Sequence, residues 1–413
     1  MTRVPILFLS QCLPYPPTSG TTNRTFHILE QLVEEFEVHL LAFVRRNHQP
    51  TGEAIRIAVK GLEGAGVQVE GVFSIASERS MLGRLRTHLF SVASRKPYTY
   101  HDYFDPRFGE ALRAVRARFS PRLAHLESLD LHRWLPDLAG VSVSCTHQNI
   151  ESELLRMRAK HAGSAPVAGY LRHQARLVEG VERASCPGFA LNVVTSDLDG
   201  LRLAALAAGS ATCTIPNGVD VNALRPPDGC VERPGEVLFL GPTYMFPNRD
   251  GVHFFLDQVW PQVRQEVPDA SFVLVGKASP EDRRMIERHP GARCEGFVAD
   301  IRPHLAAAAC CIAPLRVGGG TRLKILDYWA MGKATVATTV GAEGLKTEDG
   351  VNILLRDEPR GIADAVIAIL RDPELRRRLS RAARATAVET YSWDHIGRTL
   401  RERYHRLLGP STG

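Results

Sequence analysis

Short, mostly apolar runs alternate with longer segments of helical period along almost the whole chain. A first series is ILFLS (6–10), VHLLAFV (38–44), VQVEGVF (67–73), RLAHLES (122–128), VSVSCT (141–146) and LNVVTS (191–196). A second is VLFLG (237–241), SFVLVG (271–276), CCIAPL (310–315), ATVATTV (334–340) and VNILL (351–355). Between them lie TFHILEQLVEEF (25–36), DGVHFFLDQVW (250–260) and GIADAVIAILRD (361–372), with a long helical region over 150–183. A strand without a polar face is buried on both sides, so the pattern predicts parallel sheets covered by helices. Two series predict two doubly wound α/β domains. The stretch TIPNGVDVNALRPPDGCVERPGE (214–236) is rich in Pro, Gly and Asp and lacks a period, which marks the boundary between them.

Composition agrees with this division. The 413 residues exceed one ordinary domain, and 44% apolar with 23% charged residues describes a soluble globular chain. A net charge of +6 is too small to imply nucleic acid, yet it suits anionic ligands or an anionic membrane surface. The eight cysteines form no C-x-x-C pair, and they read as reduced, mostly buried thiols of a cytoplasmic protein. The opening MTRVPILFLSQCLPYPP carries only a short apolar run, Val4 to Leu9, interrupted by Pro5; a first buried strand fits better than a signal peptide. No apolar stretch approaches the ~20 residues of a membrane span.

In open α/β sheets ligands sit on the loops that leave the carboxyl ends of strands, and two such domains place the ligand in the cleft between them. The most informative loop follows CCIAPL: Gly318, Gly319 and Gly320 run into Thr321, Arg322 and Lys324. Thr321 is a good N-cap, and the first N–H groups of a helix lack partners and carry partial positive charge. Glycines let a ligand approach the backbone, and two cations stand beside them, so the loop suits a phosphate or diphosphate. Leu323, Ile325, Leu326, Trp329 and Ala330 make the helix mostly apolar, leaving Lys324, Asp327 and Tyr328 as one polar stripe. That stripe is either an exposed face with a weak Lys–Asp pair or a site where Asp327 accepts hydrogen bonds from ribose hydroxyls; the glycines favour the second. Neither G-x-x-x-x-G-K-[ST] nor G-x-G-x-x-G occurs at this loop. The D-x-D at Asp197–Asp199 opens a helix, where the dipole alone accounts for it, and no cluster with metal-ligand spacing occurs elsewhere. No metal and no cofactor is expected.

The block PLRVGGGTRLKILDYWAMGKATVATTVGAEGL (314–345) resembles the donor-binding region of family 4 retaining glycosyltransferases, above all a bacterial exopolysaccharide-type subgroup. YPPTSGTTNRTFHILEQL (15–32), HQNIESE (147–153), PNGVD (216–220), FPNRDGVHFF (246–255), GFVADIRPHLAAA (296–308) and YSW (391–393) extend the likeness over the whole chain. It implies the GT-B fold: an N-terminal Rossmann-like domain over 1–213, a donor-side domain over 214–390, and a helix over 391–413 returning to the first domain. It implies transfer of a sugar from a nucleoside-diphosphate sugar, the co-substrate, to a glycan or lipid-linked acceptor with retention, and no nucleic-acid partner. Of the two family glutamates, the second falls on Asp327 and the first on Gly319, which has no side chain. Backbone N–H groups of Gly318–Gly320 would stand in near the sugar, beside Asn248 and Tyr244. Val298 and Asp300 would lie at the base, and Gly20 at the donor from across the cleft. The family histidine after the fourth strand matches Glu127, with His125 two residues earlier, so Glu127 and then His125 are the acid–base candidates. His147 and Glu151 would line the acceptor side. A nucleotide-sugar epimerase of the same fold and a non-catalytic sugar-nucleotide-binding subunit stand as alternatives.

One segment stands apart. SERSMLGRLRTHLFSVASRKPYTY (77–100) sets Arg79, Arg84, Arg86, Arg95 and Lys96 among Met81, Leu82, Leu85, Leu89 and Phe90, with Glu78 as its one acidic residue. It reads equally as a solvated helix packed on the domain and as a basic amphipathic helix in peripheral contact with a membrane.

Overall fold

The computed structural model describes residues 3–226, 229, 231–317 and 323–409. They form two compact units, Met1–Pro216 with Gly397–Gly413, and Asn217–Ile396. The chain therefore leaves the first unit once and re-enters it inside a helix, Trp393–Leu408.

The first unit holds β1 (Val4–Ser10), β2 (Phe36–Val44), β3 (Gln68–Ser74), β4 (Leu123–Leu126), β5 (Ser142–His147), β6 (Leu191–Val194) and β7 (Thr212–Thr214). Their order is β3-β2-β1-β4-β5-β6-β7, and every pair is parallel. The second holds β8 (Arg233–Leu240), β9 (Ser271–Val275), β10 (Ala292–Gly296), β11 (Ala308–Ala313), β12 (Thr335–Ala337) and β13 (Leu354–Leu355), in the order β10-β9-β8-β11-β12-β13. It too is parallel throughout. Each order reverses once, between β1 and β4 and between β8 and β11. Consecutive helices there pass to opposite faces and leave a crevice at the strand ends.

The second sheet shows why its strands are apolar on both faces. Val237, Phe239, Phe272 and Ile312 enter one core with Trp260, whereas Leu238, Val273 and Cys311 enter another with Trp329 and Tyr391. Two strands lay outside the apolar runs, TCT (212–214) and ARCEG (292–296), and both are sheet edges. An edge strand is partly solvated, so it needs no continuous apolar pattern. The long region 150–183 is two helices, Glu151–Lys160 and Ala165–Ser185, divided where Gly163 and Pro166 stand. Among the described residues no helix is long and apolar enough to cross a membrane.

The helix Gly20–Val33 and the residues just after it hold both places where the chain changes unit. Arg24, buried, donates through Nη1 to Pro216 O at 2.8 Å and through Nη2 to Ile215 O at 2.9 Å. Arg401 donates to Gln31 O and to Gln31 Oε1, both at 2.8 Å, and pairs with Glu35 at 2.8 Å.

Candidate functional site

In the second unit, β8, β9 and β10 give way to glycines with positive φ, Gly241 (144°), Gly276 (152°) and Gly296 (79°). A Cβ on Gly276 would overlap the carbonyl of Gly241, so the two turns pack backbone to backbone. A Cβ on Gly241 would lie 2.8 Å from Asn248 Nδ2 and 3.1 Å from Lys324 Nζ. The glycine thus opens the place where the lysine ends. Lys324 Nζ donates to Asn248 Oδ1 at 2.7 Å and sits 3.8 Å from the Phe239 ring centroid. Asn248, buried, is fixed in turn by its Nδ2, which donates to Pro242 O at 2.9 Å.

Lys324 and Asp327 lie on the helix Leu323–Ala330. Asp327 is half-buried, and no described residue donates to its carboxylate. Burial pushes its pKa up to about 7, and the Lys324 charge offsets this in part. Tyr328 does not share that stripe. Its side chain is fully buried, its hydroxyl accepting from Leu240 N at 2.8 Å and donating to Ile312 O at 3.3 Å, so it ties β8 to β11. Gly318, Gly319, Gly320, Thr321 and Arg322 lie outside the described residues.

Other loops of this unit are committed to differing degrees. Arg249 donates to Asp282 at 2.7 Å and so is engaged. Tyr244 is 76% exposed, and Phe246 and Phe297 are also exposed. Val298 packs against the core, whereas Asp300 accepts from Arg302 Nε at 2.9 Å and Nη2 at 2.8 Å and caps the turn that follows. The Asp300 carboxylate is thus occupied within its own loop.

In the first unit a cavity of about 480 Å³ opens at the carboxyl ends of β1, β2, β4 and β5. Gly20 and Thr21, at the start of the helix Gly20–Val33, form part of its wall, and Ser19 caps that helix by accepting from Thr22 N. Glu127 lines the cavity and is fully buried otherwise. Its Oε1 accepts from Thr25 Oγ1 and from Gln148 Nε2, each at 3.3 Å. Its Oε2 lies 3.0 Å from His125 Nε2. The same Nε2 lies 3.1 Å from Thr146 Oγ1, and the histidine's Nδ1 meets the Tyr404 hydroxyl.

His125 does not reach the cavity. It is fully buried, stacked on Phe8 at 4.5 Å, so it orients Glu127 and is not itself placed to exchange a proton with an acceptor. His147 lines the cavity with Nε2 3.0 Å from Asn192 Oδ1, and burial lowers its pKa to about 4, which keeps the ring neutral. Glu151 lines it too, its pKa raised to about 7 by burial and by nearby Asp130. Sequence reasoning missed Arg45, Asp130 and Gln148, which share this wall. Arg45 follows β2 directly, so the rule that ligands meet strand carboxyl ends would have found it.

The Asp197–Asp199 motif serves its own helix. Asp199 accepts from Ser196 Oγ at 2.7 Å, and Asp197 accepts from Thr214 Oγ1 at 2.5 Å. Among the described residues no group of three His, Cys, Asp or Glu side chains is placed to hold a metal ion.

Two doubly wound parallel-sheet units make this the GT-B fold, and solved structures agree. An Anabaena protein, Alr3699/HepE in complex with UDP, superposes with a TM-score of 0.67 at 17% identity, over 98% of this chain and 100% of that one. Sucrose-phosphate synthase from Thermosynechococcus elongatus superposes with a TM-score of 0.68 at 18% identity, over 98% and 99%. Residues 234–372, within the second unit, match the family described as Glycosyl transferases group 1. An uncharacterized 44.6 kDa protein in the cps region of Klebsiella pneumoniae is 28% identical over 130 residues, and the match spans 30% of this chain and 34% of that protein.

Proposed function

We propose that the protein is a retaining glycosyltransferase that moves a sugar from a nucleoside-diphosphate sugar to a hydroxyl of a glycan or lipid-linked acceptor. The observation that carries the reading is Asp327, a half-buried carboxylate with no described donor, one helical turn beyond a fixed lysine. It lies inside the segment that matches the group 1 family. Ribose supplies two neighbouring hydroxyl donors for such a carboxylate. Lys324, with Arg322, Thr321 and the Gly320 backbone, would hold the diphosphate, and their attraction grows as the leaving group gains charge. That neutralisation needs no metal. The base would rest at the Val298 backbone and the sugar near Gly318, Gly319, Asn248 and Tyr244. Glu127, His147 and Glu151 would serve the acceptor in the first unit. The UDP of the Anabaena structure and the UDP-glucose of another from the same protein support a nucleotide-sugar donor. The cps-region relative supports a role in polysaccharide synthesis.

The test is calorimetric titration of wild type, Arg322→Ala and Asp327→Ala with UDP, GDP, ADP and dTDP, in chelator. One nucleotide should bind the wild type, and both folded variants should bind it at least about tenfold more weakly, as loss of a charge-assisted contact requires. Wild-type affinity in both variants would sink the donor assignment. Gly319, where a glutamate is usual, favours a second reading as a sugar-nucleotide-binding subunit. Donor hydrolysis in the absence of acceptor separates them, since a binding subunit turns nothing over.

A further inference from the structure

The helix Met81–Ser94 faces the wrong way for a helix that is merely part of a globular fold. Its buried positions are Thr87 and Ser91, with Gly83 so close to Ala76 O that a Cβ would come within 2.7 Å. Its large apolar side chains point outward: Met81 is 89% exposed and Leu82 77%, with Leu85, Leu89, Phe90 and Val92 exposed as well. At ~100° per residue, Met81, Val92, Leu85, Leu89 and Leu82 fall within an arc of about 100°, opposite Thr87 and Ser91. Arg84 flanks one side of that arc and Arg86 the other. A folded monomer seldom leaves so many apolar side chains together in water without a use for them.

Beside the helix lies a groove of about 670 Å³ with no acidic side chain among the described residues of its wall. Arg86 stacks 5.0 Å from the Phe90 centroid, and Arg133 stacks 4.4 Å from Tyr100 and 3.9 Å from Phe104. Lys96 Nζ sits 4.0 Å from the Tyr100 centroid. Among the described residues Arg84, Arg86, Lys96 and Arg133 have no ion pair.

We propose that this face binds the surface of an anionic lipid bilayer. The apolar arc enters the acyl boundary, the flanking arginines reach the headgroups, and the aromatic–arginine groove takes a lipid phosphate. A second copy of the chain is the poorer occupant, because a two-fold contact would bring Arg84 and Arg86 against their own images with no carboxylate between them. The proposal stands apart from the donor reading and does not depend on it.

The test is co-sedimentation of the full chain with vesicles of phosphatidylcholine alone and of phosphatidylcholine with phosphatidylglycerol, in low and high salt. Wild type should pellet with the anionic vesicles, less so in high salt, and stay in solution with the neutral ones. Arg84→Gln with Arg86→Gln should lower partition about thirtyfold, from roughly 1 kcal/mol for each charge near the surface. Leu85→Ser with Leu89→Ser should lower it as well. Both pairs point outward, so melting temperatures should remain those of the wild type. Wild type that stays in solution with anionic vesicles would overturn the proposal, as would variants that bind unchanged. A wild-type dimer in sedimentation equilibrium that Leu85→Ser with Leu89→Ser makes monomeric would overturn it in favour of self-association.

Discussion

Asp327 bears a stability cost that a ligand can relieve. Its pKa is about 7 in the folded chain against an ordinary 3.8, so the folded protein keeps a proton that the unfolded chain gives up between those values. Stability therefore falls as pH rises from about 4 to 7, and above 7 the full penalty is present. Asp327→Asn should melt higher than wild type at pH 8 and no differently at pH 4, by differential scanning fluorimetry. The same group should make nucleotide binding sensitive to pH. Ribose hydroxyls favour the ionised carboxylate, so whichever nucleotide binds should bind more tightly as pH rises through 7, and calorimetry in two buffers should show proton release that Asp327→Asn abolishes. The residues themselves were legible to different depths. Lys324 and Asp327 were visible because three glycines announce a loop and helical spacing fixes the face. The burial of Tyr328 was not, since its partners, Leu240 N and Ile312 O, come from two other strands. His125 looked like a companion of Glu127 in the cavity, but its seat is made by Phe8 and Tyr404, far off in sequence.

Glycines decide how closely whole elements approach. On the helix Trp393–Leu408, a Cβ at Gly397 would overlap the side chain of Gln31, the residue that also accepts from Arg401. Gly397→Ala should therefore destabilise the chain by about 1–3 kcal/mol despite alanine's better helix propensity, read as a lower urea midpoint. Gly276→Ala should cost at least as much, because φ is 152° there and the new methyl meets the fixed carbonyl of Gly241. At this scale the central strands were readable as short, mostly apolar runs between helical segments. The edges β7 and β10 were not, because half-solvated strands need no such run. The helix Gly20–Val33 begins before its apolar period does, its first turn being set by the Ser19–Thr22 capping box.

Each unit has its own sheet and its own cores, so heat should reveal them separately. Scanning calorimetry should show two transitions, and nucleotide at a hundred times its Kd should stabilise the one that belongs to Asn217–Ile396 by about 2.7 kcal/mol. A single transition, or a shift of the other one, would refute the assignment of the donor to that unit. In topology Asn217–Ile396 is an insert within the first unit. Arg24 clamps the segment that departs, at Ile215 and Pro216, while Gln31 and Glu35 clamp the helix that returns, through Arg401. The whole insert can thus be treated as an exchangeable cassette. A relative's equivalent of residues 217–396, grafted between those two clamps, should carry its own nucleotide preference with it and leave the cavity of the first unit untouched.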